Sequence, residues 1–122
     1  MNTTMATPII LAGIKNCDSV RSAQKWLEEN GHDYSFLDLR SDQFVRHTLG
    51  SWLEKVDWTS LLNKRSATWR GLDDKDRDDL DEARAMTLMM KHPTLIKRPV
   101  LQIGNVIEVG FTAERYAELL KT

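Results

Sequence analysis

The only cysteine of the chain lies in a polar segment whose residue types could do thiol chemistry. Cys17 follows Lys15 and Asn16, precedes Asp18, and is the single cysteine among 122 residues. An apolar segment, residues 9–14, comes before it, and apolar residues at helical spacing come after it. The sequence therefore predicts Cys17 at a helix N-terminus, where unpaired N–H groups and the helix dipole favour the nucleophilic thiolate. The alternative is an inert, buried cysteine, a common state of this residue type.

The residues after Cys17 restrict the reactions that it could perform. Val20 stands where a Cys-x-x-Cys pair would have its second cysteine, so no internal thiol can resolve a mixed disulfide. A catalytic cycle would need an external thiol, such as glutathione or a cysteine of another protein. Ala23 stands where a Cys-x5-Arg phosphatase loop would have its arginine. The three histidines show no ligand spacing to one another or to Cys17, so we expect no metal site.

A second candidate segment, Lys97-Arg98-Pro99, comes directly before a predicted strand. Proline is compatible with the first position of a strand, because its missing N–H need not interrupt the ladder. Residue statistics alone predict a trans Arg98–Pro99 bond, since only about 5% of X-Pro bonds in folded proteins are cis. A cis bond would instead expose backbone groups at this point for pairing with a ligand.

The elements that must position these two segments follow from the apolar pattern. A buried strand is predicted around residues 9–11 and a second one over residues 34–40. The helix between them should end near Asn30-Gly31, because glycine often follows a helix C-terminus. Such a β-α-β unit predicts two parallel strands joined by a right-handed crossover.

The last third of the chain changes from a helical to a strand pattern. Two apolar runs, Val100–Ile103 and Val106–Val109, flank Gly104-Asn105, which predicts a β-hairpin. Thr112 is predicted to cap a final helix. The inner face of that helix is expected to hold four residues, namely Ala113, Tyr116, Ala117 and Leu120.

The middle of the chain is predicted to be helical. One helix is expected within residues 43–55, a short turn at residues 58–62, and a polar loop at residues 63–70 that contains Trp69, which either packs or lines a site. A further helix should start at an Asp73 cap and stop before Pro93. Residues 73–82 include seven acidic and two basic residues, which is typical of a solvated helix face.

Two motifs together resemble a known family. Gly13-Ile14-Lys15-Asn16-Cys17-Asp18 and Leu95-Ile96-Lys97-Arg98-Pro99-Val100 resemble the paired motifs of the ArsC-like branch (arsenate reductases and Spx regulators) of the thioredoxin-like superfamily, and within it the YffB group. The order of elements also matches over most of the chain. The resemblance implies an α/β, thioredoxin-like three-layer fold with a mixed sheet. It further implies a single domain over residues 1–122, with a flexible tail at residues 1–7 and a helical insert at residues 43–92.

The resemblance also assigns roles at the site. It implies that Cys17 is the nucleophile, that Pro99 is a cis-proline facing it, and that Arg98 binds an oxyanion or favours the thiolate. Lys15 and Asn16 are predicted to join Arg98 in binding an anionic substrate or the carboxylates of glutathione. Arg65 is a further substrate-binding candidate.

Two departures from the family pattern argue against arsenate as the physiological substrate. Family members that reduce arsenate have an arginine in a Leu-Leu-Arg pattern, and Asn63 stands at that position here. Arg65 or Arg70 could substitute for it. A second arginine is expected after the hairpin, where this chain has Thr112, and the nearest candidate is Arg115 inside the predicted helix.

Composition and charge limit the classes of protein to which this chain could belong. The net charge is −1, which gives no electrostatic case for nucleic-acid or membrane binding. Residues 1–7 lack the features of a signal peptide, and no apolar run approaches the roughly 20 residues of a membrane helix. We expect a soluble, cytoplasmic monomer with no bound cofactor.

Two functions from different classes remain open at this point. The first is a glutathione-dependent thiol reductase of the arsenate reductase-like family, with glutathione as co-substrate, glutaredoxin as a candidate partner and a small oxidised or oxyanion substrate. The second is a non-catalytic, Spx-like regulator that binds RNA polymerase or another stress partner, with residues 73–82 as a contact face. The absence of a Cys-x-x-Cys pair argues against a redox switch of the Spx type but not against a binding role.

Overall fold

The computed structural model describes residues 7–121. Of the tail predicted at residues 1–7, only Thr7 lies inside this range. No helix in the described range is long and apolar enough to cross a membrane. In chain order the elements are β1 (Ile9–Gly13), α1 (Asp18–Glu29), β2 (Ser35–Asp38), α2 (Arg46–Leu53), α3 (Trp58–Leu61), α4 (Ala67–Arg70), α5 (Asp74–Arg77), α6 (Glu82–Lys91), a 3₁₀ turn (Pro93–Leu95), β3 (Val100–Ile103), β4 (Val106–Val109) and α7 (Ala113–Leu120).

The chain divides into two compact units. The sheet unit consists of the described residues 7–38 and 98–121, and the helical unit consists of Leu39–Lys97. In sequence, the helical unit lies between β2 and β3. Cys17 with the turn before it, Arg98 and Pro99 belong to the sheet unit, whereas Lys97 is the last residue of the helical unit.

The sheet unit contains one mixed sheet with the strand order β2-β1-β3-β4. β1 and β2 run parallel, as the predicted β-α-β unit requires, and β3 pairs antiparallel with both β1 and β4. The two central strands, β1 and β3, are the most buried. Their fully buried residues are Leu11, Ala12, Val100 and Leu101. The predicted α/β class, mixed sheet and hairpin are confirmed.

Helices α1 and α7 complete the core of the sheet unit. α1 buries Val20, Ala23 and Leu27, whose spacing places them on one helical face. They pack with Leu11, Leu101 and Tyr116, and the last of these is the buried residue of α7. Thr112 caps α7 as predicted, by accepting a hydrogen bond from the Arg115 N–H at 3.2 Å. Ala113, predicted on the inner face, is exposed instead.

The helical unit has a core of its own around Trp52. This ring is fully buried and stacks on Phe44 with 5.4 Å between centroids. α2 begins at Arg46, later than the predicted start near Gln43, and Val45 before it is 47% exposed. Other fully or almost fully buried residues are Leu49, Leu61, Leu62, Ala85, Met89, Leu95 and Ile96.

Two predictions for the helical unit were wrong. Residues 67–70 form a short helix instead of a polar loop, because the Ser66 hydroxyl caps it by accepting a hydrogen bond from the Trp69 N–H at 3.1 Å. The single helix predicted after Asp73 is two helices, α5 and α6, separated by Asp79 with φ of 53°. The Asp73 side chain makes no capping hydrogen bond to α5, whereas the Asp81 carboxylate caps α6 by accepting a hydrogen bond from the Arg84 N–H at 2.8 Å.

Candidate active site

Cys17 is the N-cap residue of α1. Its backbone is extended, with φ of −106° and ψ of 126°, and its carbonyl accepts a hydrogen bond from the Arg21 N–H at 3.0 Å. The Cys17 side chain makes no capping hydrogen bond, whereas serine or aspartate at an N-cap would use an N–H of the first turn. The thiol is half-buried and packs against the core of the sheet unit. The structure thus places Cys17 where the sequence predicts it, between a strand and a helix N-terminus.

The acidic neighbour of Cys17 is held by a basic partner. Asp18 forms an ion pair with Arg21, one turn further along α1, and both side chains are largely exposed. The negative charge nearest to the thiol in sequence is therefore partly compensated. Lys15 and Asn16, both exposed, occupy the turn between β1 and Cys17.

A glycine sets the path of the chain into this turn. A Cβ atom on Gly13 would lie 2.5 Å from Cγ2 of Val20, closer than side chains approach in proteins. Because position 13 has no side chain, the end of β1 can pack directly against the first turns of α1. The connection from Gly13 to Asp18 is consequently short, and Cys17 lies between the end of β1 and the start of α1.

The second candidate segment reaches the same end of the sheet. In the antiparallel pairing of β1 and β3, Val100 lies opposite Ala12. The residues that follow β1 and those that precede β3 therefore leave the sheet at one edge, which brings Arg98 and Pro99 to the edge that also holds the turn before Cys17. The Arg98–Pro99 bond is cis, as the family resemblance implies and against the residue statistics. Pro99 is buried and Arg98 is half-buried.

Sequence reasoning missed one residue at this edge. The Gly110 N–H donates a hydrogen bond to the Pro99 carbonyl at 2.8 Å. Gly110 has φ of 88°, a conformation that favours glycine, and it follows β4 directly. A glycine between a predicted strand and a predicted helix was the available signal, but the sequence does not show that its partner is Pro99.

The sequence profile of the ArsC family matches residues 12–119 of this chain. The chain belongs to the ArsC family. Its structure is similar to that of the YffB protein, with a TM-score of 0.86 and 40% identity over 90% of this chain and 96% of that one. It is also similar to an arsenate reductase (ArsC) related protein from Brucella melitensis, with a TM-score of 0.75 and 36% identity over 98% and 100% of the two chains. The global transcriptional regulator Spx 2 of Bacillus cereus is 29% identical over 114 residues, which cover 92% of this chain and 86% of that protein.

Membership of the ArsC family confirms the family resemblance seen in the sequence and the predicted thioredoxin-like α/β fold with its mixed sheet. The matches span both motifs that carry the resemblance, since Cys17 and Arg98-Pro99 lie inside the matched range. The roles predicted for Lys15, Asn16, Cys17 and Arg98 stay predictions, because the matches identify the family and not the function of each side chain.

Arg115, the nearest candidate for the arginine that the family resemblance leads us to expect after the hairpin, is bound by two carboxylates. Its Nε lies 3.1 Å from Oε1 of Glu108 on β4, and its Nη1 lies 3.6 Å from Oε1 of Glu118. The hydrogen bond and charge of Glu108 raise the pKa of the Arg115 guanidinium above its ordinary value. Arg115 therefore serves the junction of β4 and α7.

Arg65, the other predicted substrate-binding arginine, belongs to the helical unit. Its side chain is exposed and lines a cleft of about 400 Å³ within that unit, and its carbonyl accepts a hydrogen bond from Nη1 of Arg70 at 2.7 Å. Trp69 is half-buried with Nζ of Lys64 5.5 Å from its ring centroid. A shared site of Arg65 with Cys17 stays a prediction.

One histidine, His32, packs against an aromatic side chain. His32 stacks on Trp26, with 5.8 Å between ring centroids and 12° between planes. Trp26 also contacts the Tyr116 ring edge-on. Within residues 7–121, no group of three or more His, Cys, Asp or Glu side chains is arranged to hold a metal ion.

Proposed function

We propose that this protein is a monothiol thiol reductase that uses glutathione as its reductant and Cys17 as its nucleophile. The observation that carries the proposal is the position of Cys17 at the N-cap of α1, at the sheet edge that also holds the cis Arg98–Pro99 bond. A helix N-terminus stabilises a thiolate through its dipole and its unpaired N–H groups. The ArsC family, with its arsenate reductase-related members, supports the reductase class.

The proposed cycle needs two molecules of glutathione, because Val20 replaces a resolving cysteine. The Cys17 thiolate attacks one sulfur of a substrate disulfide, forms a mixed disulfide and releases the other half as a thiolate. A glutathione thiolate then displaces the bound half and leaves glutathionylated Cys17. A second glutathione thiolate attacks the glutathione sulfur, restores the Cys17 thiolate and yields oxidised glutathione. One substrate disulfide is reduced to two thiols for each oxidised glutathione that is formed.

Charged residues at the sheet edge supply the proposed binding contacts. Lys15 and Arg98 would pair with the carboxylates of glutathione, and Asn16 would offer its amide to the peptide. These residues flank Cys17 and the cis bond in sequence, and Lys15 and Asn16 are exposed to an incoming ligand. Arg65 is a weaker candidate for the same role. Glutaredoxin could replace free glutathione in the last step, since it supplies the same thiol chemistry.

Disulfides, and not arsenate, are the proposed substrates. Asn63 replaces the arginine of the Leu-Leu-Arg pattern, and the Arg115 guanidinium is bound by Glu108 and Glu118. A doubly charged oxyanion would therefore lack two of the cations that arsenate-reducing relatives use. We expect glutathionylation of Cys17 without turnover of arsenate.

Mass spectrometry of the chain after exposure to oxidised glutathione tests the proposal. We expect one glutathione adduct per chain, located at Cys17, that excess reduced glutathione removes. Cys17→Ser should form none. Lys15→Ala and Arg98→Ala should each slow adduct formation, whereas Lys25→Ala, an exposed lysine on α1, is the matched control and should not. A chain that forms no adduct and reduces no disulfide with glutathione would contradict the reductase assignment.

The similarity to Spx 2 favours a second candidate function. In that case the chain would bind RNA polymerase or another stress partner and catalyse no turnover, with the exposed acids of residues 73–82 as a contact face. Affinity capture from a bacterial extract separates the two functions. Retention of RNA polymerase subunits by the wild type and by Cys17→Ser alike would favour the regulator, and glutathione-dependent disulfide reduction without such retention would favour the enzyme.

A further inference from the structure

The helical unit contains a cleft whose charged residues all have the same sign. Its volume is about 400 Å³, within the range of about 300–1,000 Å³ that is typical of pockets for small molecules. The lining residues are Thr59, Leu62, Asn63, Lys64, Arg65 and Lys97. Three of the six are cations and none is a carboxylate.

The three cations of the cleft are not neutralised by the protein. Within residues 7–121, neither Lys64, Arg65 nor Lys97 forms an ion pair. The nearest acid in sequence, Asp57, is outside the lining and accepts a hydrogen bond from the Thr59 hydroxyl at 2.6 Å. Like charges that converge on a concave surface repel one another, and a bound anion removes that repulsion.

Backbone hydrogen bonds fix the two segments that present these cations. The Asn63 N–H donates to the Leu95 carbonyl at 2.6 Å, and the Lys97 N–H donates to the Leu61 carbonyl at 2.9 Å. Leu62 and Ile96 form an antiparallel bridge between these two bonds. Lys97 is thereby held opposite Leu61, on the segment that leads into Lys64 and Arg65, and all three cations line the same cleft.

The neutral groups of the cleft suit an anion as well. Oδ1 of Asn63 accepts a hydrogen bond from the Arg65 N–H at 3.1 Å. Nδ2 of Asn63 makes no hydrogen bond within the described residues and is therefore a free donor. Donors and cations surround the cleft, and Leu62 supplies its apolar wall.

We propose that this cleft binds a small organic anion with at least two carboxylate or phosphoryl groups. Lys64, Arg65 and Lys97 provide the charge, and Asn63 provides a neutral donor. A single inorganic oxyanion would engage only part of a cleft of this volume. The proposal concerns the helical unit alone and does not depend on thiol chemistry at Cys17.

Calorimetric titration of the full chain with citrate and, separately, with pyrophosphate at constant ionic strength tests the proposal. We expect saturable binding of at least one probe, and the preferred probe identifies carboxylate or phosphoryl groups as the natural ligand chemistry. Lys64→Gln, Arg65→Gln and Lys97→Gln should each weaken binding about fivefold, the upper end for one exposed ion pair. The triple variant should not bind. Lys25→Gln, an exposed lysine of the sheet unit, should bind as the wild type does.

Tryptophan fluorescence gives an independent readout. Because Nζ of Lys64 lies over the Trp69 ring, an anion that draws Lys64 away should change the emission in the wild type but not in Lys64→Gln or Trp69→Phe. Absence of saturable binding by both probes would overturn the proposal. So would equal weakening by Lys25→Gln and Lys97→Gln, or unchanged affinity in the triple variant.

Discussion

The Gly110 N–H and the Pro99 carbonyl are 2.8 Å apart and connect the start of β3 to the end of β4. The bond lies one step beyond the last residue pair of the hairpin, Val100 opposite Val109. This bond fixes the Pro99 backbone from the β4 side of β3, while Val100 pairs with Ala12 of β1 on the other side. Both strands next to β3 therefore position the Arg98-Pro99 segment, which is proposed to face Cys17.

Gly110→Ala should weaken this connection at a cost that comes from the backbone alone. No atom lies within 4 Å of a Cβ built at position 110, but φ is 88°, in the region that L-residues avoid. We expect a loss of about 1–2 kcal/mol in the free energy of unfolding. Urea denaturation measures it, and Gly50→Ala is the matched control. That glycine lies inside α2, where alanine gains helix propensity. Its Cβ would lie 3.2 Å from Cε of Met86, the end of a flexible side chain that can move aside, so the substitution should be close to neutral. Equal effects of the two substitutions would contradict the role of the backbone conformation at Gly110.

Gly13→Ala should be destabilising for a steric reason. The added methyl group would lie 2.5 Å from Cγ2 of Val20, whose β-branched side chain is fully buried and cannot rotate freely. We expect a cost of about 1–3 kcal/mol, as for other overpacked cores. A double-mutant cycle with Val20→Ala identifies the cause, because the alanine at position 20 removes the clashing atom. Additive effects would show that the two side chains do not compete for the same space.

Burial of Tyr116 predicts a loss of stability in alkali. Desolvation, aided by the charge of Glu108, raises the pKa of the Tyr116 phenol well above its ordinary value of 10.0. The folded state therefore favours the neutral phenol, and this contribution is complete below pH 10 and declines as the pH rises above it. Melting temperatures measured from neutral pH to about pH 11 should fall more steeply for the wild type than for Tyr116→Phe. Parallel pH profiles of the two proteins would contradict the assignment.

Local sequence signals located Cys17 but not its surroundings. The turn before α1 was predictable because an apolar strand, polar residues and an apolar helical face follow one another within a short segment. The cis bond before Pro99 was not predictable from residue types, since only about 5% of X-Pro bonds are cis, and it was expected only from the family resemblance. The break between α5 and α6 was missed. The Arg84 guanidinium donates to the carbonyls of Lys75, Asp78 and Asp79, which stabilises a turn that the acidic pattern does not indicate.

A cysteine at position 20 should change how the mixed disulfide of Cys17 is resolved. Cys17 and Val20 are the N-cap and third residues of α1, and side chains three apart on a helix have Cβ atoms about 5–6 Å apart. A disulfide needs about 3.5–4.5 Å, so the extended Cys17 must move slightly toward position 20. In Val20→Cys the new thiolate should attack Cys17 of the glutathione adduct, form an internal disulfide and release one glutathione thiolate. The adduct of this variant should therefore decay at a rate independent of added thiol, whereas the wild-type adduct should persist until glutathione is added. Val20→Ala is the matched control for lost volume in the core, and its adduct should persist as well. A stable adduct in Val20→Cys would show that the two positions cannot meet, and an adduct that decays without added thiol in all three proteins would show that a second cysteine is not what the chain lacks.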